Sequence, residues 1–275
     1  MSEAVRVISV STDHTPGSAN SEALLRIDDV SVRFGGVRAL DGVSCAVASG
    51  EICGLIGPNG AGKTTLFNCI TRLYPVASGA IWFAGKRIDT VPARQIVTLG
   101  VARTFQNLGI YPDMTVMENV ALGAHHSHGG RFFQSVLSPR ASDARERAMT
   151  DWCRSILRKL DLAPHEGARA GNLPYGTLKR VEIARALAAK PRLLLLDEPA
   201  AGLNHGERIE FATLIRRIRD EFELTVLLVE HQMGLVMGLC GRLLVLHLGQ
   251  LLRQGAPAEV SADPAVVSAY LGEAA

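Results

Sequence analysis

Gly57-Pro58-Asn59-Gly60-Ala61-Gly62-Lys63-Thr64 is the stretch on which the fold turns. It follows the pattern GxxxxGK(S/T), and its flanks agree with it. The apolar run Ile52–Ile56 before it reads as a strand buried on both faces. Leu66, Phe67 and Ile70 after it fall at helical spacing. The glycines let backbone N–H groups turn inward on an anion, and a helix start adds partial positive charge. Lys63 supplies a point charge for the outer phosphates, the Thr64 hydroxyl suits Mg²⁺, and Thr65 continues the loop into the helix.

Downstream, Leu193-Leu194-Leu195-Leu196 forms a second fully apolar strand that ends in Asp197-Glu198. Two acids at the carboxyl edge of a parallel sheet stand where ligands bind in such folds. Asp197 is suited to Mg²⁺, mostly through its water shell, because Mg²⁺ dehydrates reluctantly. Glu198 is then available to polarise an attacking water. Together the two motifs describe a nucleoside triphosphatase. No NKxD-type motif marks a GTPase, and no specific sequence marks the acceptor pocket and lid of a small-molecule kinase.

Around these motifs, alternating apolar residues predict strands at Leu25–Ile27, Val30–Phe34 and Val43–Val47. Further strands are expected at Ile81–Phe83, Thr225–Val229 and Leu243–Leu246, with Met114–Lys190 helical apart from an irregular stretch between Gly123 and Ser142. Strands alternating with helices imply an α/β fold with a mainly parallel sheet. Residues 1–22 read as a flexible polar tail and 23–275 as one domain.

The 275 residues carry 29 Lys+Arg against 27 Asp+Glu, a net charge of +2. A balance that even argues against a nucleic-acid-gripping protein. The five cysteines, Cys45, Cys53, Cys69, Cys153 and Cys240, form no CxxC pair, which favours a reducing, cytoplasmic location. No run approaches the ~18 apolar residues of a membrane helix, and the first residues lack a signal-peptide pattern. His125, His126 and His128 have no adjacent acidic or cysteine ligand, so a loop near a partner is preferred to a metal site.

Asn172-Leu173-Pro174-Tyr175-Gly176-Thr177-Leu178-Lys179-Arg180, continuing to Leu187, resembles the signature segment of ATP-binding-cassette ATPases, usually written LSGGQ. The order of motifs from Leu24 onward is similar to that of the family. The resemblance implies a P-loop NTPase core of RecA-like type, an antiparallel β subdomain and an inserted helical subdomain at about 107–188. It implies ATP and Mg²⁺ as ligands. It places Phe34 against adenine, Gln106 at Mg²⁺ and the lytic water, His231 at the γ-phosphate, and Ala200–Asn204 in a dimer-contact loop. Leu173, Tyr175, Gly176 and Thr177 are implied to complete the nucleotide site of a second subunit, head to tail. Taken alone, Phe34 also fits an inward strand residue, Gln106 a surface amide and His231 a strand-end polar residue.

Pro174 stands where the family usually has Ser, and Thr177 where it usually has Gln. Proline offers neither hydroxyl nor N–H, leaving the Gly176 backbone and the following helix start as donors. Asn204 replaces the commoner Asp of the dimer-contact loop.

The Gly100–Asn107 segment, the Leu-Pro-Tyr-Gly signature and the Tyr270-Leu271-Gly272 ending resemble the longer ATPase of bacterial branched-chain amino acid importers. That branch implies a second, different ATPase, two membrane permease subunits, an external solute-binding protein and a place on the cytoplasmic membrane face. The alternatives are a lipid or lipopolysaccharide exporter ATPase and a soluble non-transport cassette protein. The 44 residues that follow His231 are expected to hold no added regulatory domain.

Overall fold

The computed structural model describes residues 23–104, 109–128 and 139–271. β1 (Ala23–Phe34) and β2 (Val37–Ala48) form a long antiparallel hairpin. With β4 (Ser78–Phe83) and β5 (Lys86–Arg87) they make a four-stranded sheet of order β2-β1-β4-β5. The second sheet contains β3 (Ile52–Ile56), β6 (Val101–Arg103), β7 (Leu193–Asp197), β8 (Thr225–Val229), β9 (Arg242–His247) and β10 (Gln250–Gly255). Its order is β10-β9-β3-β8-β7-β6, parallel except for β10, which pairs antiparallel with β9.

The uninterrupted apolar runs are explained by this second sheet. Successive side chains of a strand point to opposite faces, and here both faces are covered. Leu194, Leu196, Val226, Leu228, Leu243 and Val245 join one core, while Leu193, Leu195, Leu227, Val229, Leu244 and Leu246 join the other. The antiparallel sheet lies over the second core, contributing Leu25, Ile27, Val43 and Ile81 together with Leu66 and Phe67 of α1 (Lys63–Ile70). Each side chain loses its water contact, which is worth roughly 1.5–3 kcal/mol for a fully buried Leu or Val.

The first core continues into a helical layer. The short α2 (Ala93–Ile96) instead buries Ile96 in the second core. α3 (Val116–His128) buries Val116, Val120 and Ala124. Its first turn is closed reciprocally, the Thr115 Oγ accepting from Glu118 N–H and the Glu118 carboxylate accepting from Thr115 N–H. α4 (Pro139–Lys159) buries Cys153, Ile156 and Leu157, the i, i+3, i+4 stripe of an amphipathic helix. α5 (Tyr175–Ala188) buries Val181, Ala184 and Leu187 against both.

The stretch expected to be irregular from Gly123 to Ser142 is corrected here: residues 123–128 continue α3, and α4 begins at Pro139. Gly123 reads as a breaker, but it is a contact residue. A Cβ there would lie 1.9 Å from the Arg185 carbonyl oxygen of α5, so glycine is what lets the two helices cross so closely. His125, His126 and His128 thus stand on the last turns of a helix rather than on a loop. Their side chains, and with them the metal alternative, lie outside the described residues.

α6 (His205–Glu221), α7 (Met233–Leu239), α8 (Pro257–Ala262) and α9 (Pro264–Leu271) complete the fold. Asn204 starts α6: its side chain accepts from Glu207 N–H at 3.0 Å while the Glu207 carboxylate accepts from Asn204 N–H at 2.8 Å. All five cysteines are free and buried. Burial pushes the Cys45 and Cys240 thiols up to about 12 and Cys69 to about 11, so they stay neutral packing groups.

Candidate functional site at the carboxyl edge of the parallel sheet

β3 runs into the loop Gly57–Gly62, and α1 leaves it at Lys63. The loop is packed from behind by backbone. A Cβ on Gly57, at φ +147°, would lie 2.1 Å from the Leu246 carbonyl oxygen, and one on Gly62, at φ +102°, would lie 2.6 Å from that of Ala39. The loop therefore curls where no side chain fits, and its concave side is left to the backbone N–H groups. Gly62 caps α1 without any side-chain hydrogen bond. Lys63 is 6% exposed, and its Nζ donates to the carbonyls of Gly57 and Pro58 at 2.6 Å each. Backbone donors, a helix start and a fixed ammonium together form a cradle for an anion with several oxygens.

β3, β8 and β7 are neighbours, so their carboxyl ends bring the acids and His231 to the same edge as the loop. Asp197 ends β7 and is buried. Its Oδ2 accepts from Arg103 Nη2 at 2.6 Å, and Arg103 Nη1 donates to Asn68 Oδ1 of α1 at 2.6 Å. The guanidinium also lies over the Phe67 ring, 5.6 Å from its centre. Arg103 thus ties the acidic strand to the helix that follows the phosphate loop. Both side chains of the ion pair are less than a tenth exposed, so removing the cation strands a buried carboxylate. Arg103→Met is expected to destabilise the protein by about 3–5 kcal/mol, read as a lowered denaturant midpoint. An unchanged midpoint would refute the energetic role given to the pair.

Glu198 sits just beyond the strand with φ +46°, a left-handed conformation that costs a non-glycine residue of order 1–2 kcal/mol. Its N–H donates to the Val229 carbonyl at 2.9 Å, which holds the strained turn against β8. The turn aims the side chain at His231, whose Nε2 lies 2.7 Å from Glu198 Oε1. Glu230, the residue before His231, is buried. Its Oε1 accepts from Ala200 N–H at 2.8 Å and its Oε2 from His231 N–H at 3.2 Å. Burial pushes its carboxyl up, and the backbone donors Ala200, His231 and Gln232 pull it part of the way back.

Phe34 is 46% exposed, so it is no core residue of β1. Its ring meets Tyr74 edge-on with centroids 5.0 Å apart, and the two present an aromatic platform. Thr64 is exposed and Thr65 half-buried on the first turn of α1. The predicted Gln106 lies outside the described residues.

Pro174 caps α5 with no side-chain hydrogen bond, as its chemistry requires, and Tyr175, Gly176 and Thr177 form the first turn. This turn opens on a separate cleft of about 270 Å³, lined also by Leu203, Glu207 and Arg180 and by no residue of the phosphate loop. Leu173 is half-buried just before it. Sequence reasoning did not single out Arg103, Glu230 or Tyr74. Arg103 stood inside a quoted motif, but the acid it meets is 94 positions away.

The family model for ABC transporters matches residues 40–201, and that for the branched-chain amino acid ATP-binding cassette transporter matches residues 254–275. The high-affinity branched-chain amino acid transport ATP-binding protein LivG of Salmonella typhimurium is 41% identical over 254 residues, 92% of this chain and 100% of that protein. The probable LivG of Methanocaldococcus jannaschii is 33% identical, covering 91% of this chain and 98% of its own. A crystal structure of an ATP-binding cassette of an ABC transporter in its ADP conformation matches with TM-score 0.78 and 31% identity, over 91% of this chain and 99% of that one. Phosphate loop, acidic strand and architecture agree with these likenesses: the chain belongs to the ATP-binding-cassette family of transporter ATPases.

Proposed function

We propose that the chain binds and hydrolyses ATP to drive an importer for branched-chain amino acids or related solutes. What carries the hydrolytic part is the strained Glu198, held 2.7 Å from His231 on the same sheet edge as Lys63. The solute class is supported by the likeness to LivG proteins and by the match at residues 254–275.

In this reading the backbone of Gly57, Pro58, Asn59, Gly60, Ala61 and Gly62 wraps the phosphates, with Thr65 beside them. Lys63 holds the outer phosphates, and Phe34, with Tyr74 beside it, stacks on adenine. Thr64, Asp197 and Gln106 would hold Mg²⁺, which neutralises phosphate charge when bound. The donor set fits, since two oxygen ligands and an amide suit a hard cation. Glu198 orients and polarises the attacking water, and His231 donates toward the γ-phosphate.

Pro174, Gly176 and Thr177 line a cleft apart from the phosphate loop, which supports reading Leu173, Tyr175, Gly176 and Thr177 as serving the nucleotide of a second subunit rather than their own. We infer a head-to-tail pair with a second ATPase subunit of different sequence, on the cytoplasmic face of the membrane with two permease subunits and, indirectly, an external solute-binding protein. Among the described residues no helix is long and apolar enough to cross a membrane. We assign the permease seat to the mainly apolar groove of about 560 Å³ between the end of α1, α2, α3 and α5, where Leu73 and Tyr111 stand exposed. Residues 23–275 are read as one ATPase domain, with its helical subdomain at about 107–188.

Isolation of the chain from its native membrane tests this. Two unlike permease chains and a different ATPase are the expected companions, with ATP-dependent uptake of a branched-chain amino acid in reconstituted vesicles. A lipid-export permease carrying two copies of this chain, or no membrane partner at all, would overturn the importer assignment.

A further inference from the structure

Glu230 has no part in the chemistry assigned above, yet it is a carboxylate placed out of water at the centre of the site. An ionised carboxylate that is 2% exposed has lost its hydration and needs compensation from the protein. Here that compensation is backbone. Ala200 N–H donates to one oxygen and His231 N–H to the other, and the N–H of Gln232 adds to them. An ionised carboxylate is an acceptor at both oxygens. A glutamine in its place would turn an NH₂ group toward an N–H and keep one acceptor.

The two segments it joins are the ones whose relative position matters. Ala200 belongs to the turn that starts at Glu198, closed by Ala201 N–H donating to the Glu198 carbonyl and Leu203 N–H donating to the Ala200 carbonyl. His231 follows β8. The Glu198–His231 contact at 2.7 Å bridges these segments through side chains, and Glu230 bridges them through backbone. The same turn leads through Gly202 to Asn204, the cap of α6, and Tyr175 of the signature turn packs over Gly202.

We propose that Glu230 is a positioning residue for hydrolysis. Its carboxylate locks the Glu198 turn to the His231 turn and so fixes the Glu198–His231 pair. The proposal rests on the hydrolytic reading of the site given above.

The test separates catalysis from binding. Glu230→Gln and Glu230→Asp are made in the full chain, assayed with the paired ATPase and permease subunits. Affinity and stoichiometry for the non-hydrolysable analogue AMP-PNP come from calorimetry, and kcat is expressed per binding site. Misplacing reacting groups by ~1 Å costs on the order of 10²-fold in rate. Glu230→Gln is therefore expected to lower kcat by roughly 10- to 100-fold with AMP-PNP affinity within twofold. Glu230→Asp, which keeps the charge on a shorter stem, is expected to fall between it and the wild type. A role in stability alone would lower stoichiometry and leave kcat per site unchanged. Should Glu230→Gln not fold, the Glu230→Asp split between kcat and affinity decides. A kcat within twofold of wild type in the folded variant, or rate and affinity falling together, overturns the positioning role. A wild-type chain that binds no AMP-PNP overturns the nucleotide site and this inference with it.

Discussion

Lys63→Ala is expected to weaken ATP binding by about two orders of magnitude and to abolish turnover at ordinary ATP concentrations. A charge-assisted hydrogen bond contributes about 1.5–3 kcal/mol, and tenfold in affinity is about 1.4 kcal/mol. Losing one or two contacts to phosphate oxygens therefore gives a factor of roughly 10² or more. The loop makes the effect large because it pre-positions the ammonium. Nζ is anchored by the carbonyls of Gly57 and Pro58, so little side-chain entropy is lost when phosphate arrives. Calorimetry with AMP-PNP and Mg²⁺ measures the change, and a thermal melt shows that the fold survives. A dissociation constant within threefold of wild type would remove Lys63 from the phosphate site.

Glu198→Gln acts on the opposite side of the reaction. It is expected to retain ATP affinity while lowering hydrolysis by about 10²–10⁴-fold, the usual loss when a general base is removed. Glutamine keeps the shape and an oxygen that can still meet His231 Nε2, so the strained turn and the Val229 contact persist. What disappears is the group that polarises water. With hydrolysis blocked, ATP remains between the two subunits and holds them together, because ligand binding at a shared interface stabilises the associated state. Size-exclusion of the variant with its paired ATPase, ATP and Mg²⁺ should show the complex persisting. Undiminished turnover, or subunits that stay apart at saturating ATP, would contradict the role given to Glu198.

Both residues were found from sequence, and the reason is local. The phosphate loop has all its determinants within one contiguous stretch between a buried strand and a helix. The acidic pair needs only a strand of four leucines to place it at a sheet edge. The buried strands were legible because both faces of the sheet are covered, so no polar residue interrupts the runs. β6 and β10 were not legible: β6 has only three residues, and β10 mixes Arg253 and Gln254 among its apolar positions. The extension of α3 through Gly123 was hidden because the reason for that glycine is the Arg185 backbone, far away in sequence.

The anion cradle, the acidic strand end, the α/β character and the family resemblance are all legible along the chain, since each depends on near neighbours in sequence. Strand order was decided only by tertiary packing, and everything that depends on strand order came with it. Setting β6 beside β7 delivers Arg103 to Asp197, and setting β7 beside β8 brings Glu230 to Ala200 and His231 to Glu198. A buried ion pair or a buried carboxylate needs a partner at hydrogen-bonding distance. Which partner it finds depends on how the two cores close on the sheet, and no local pattern of residues encodes that.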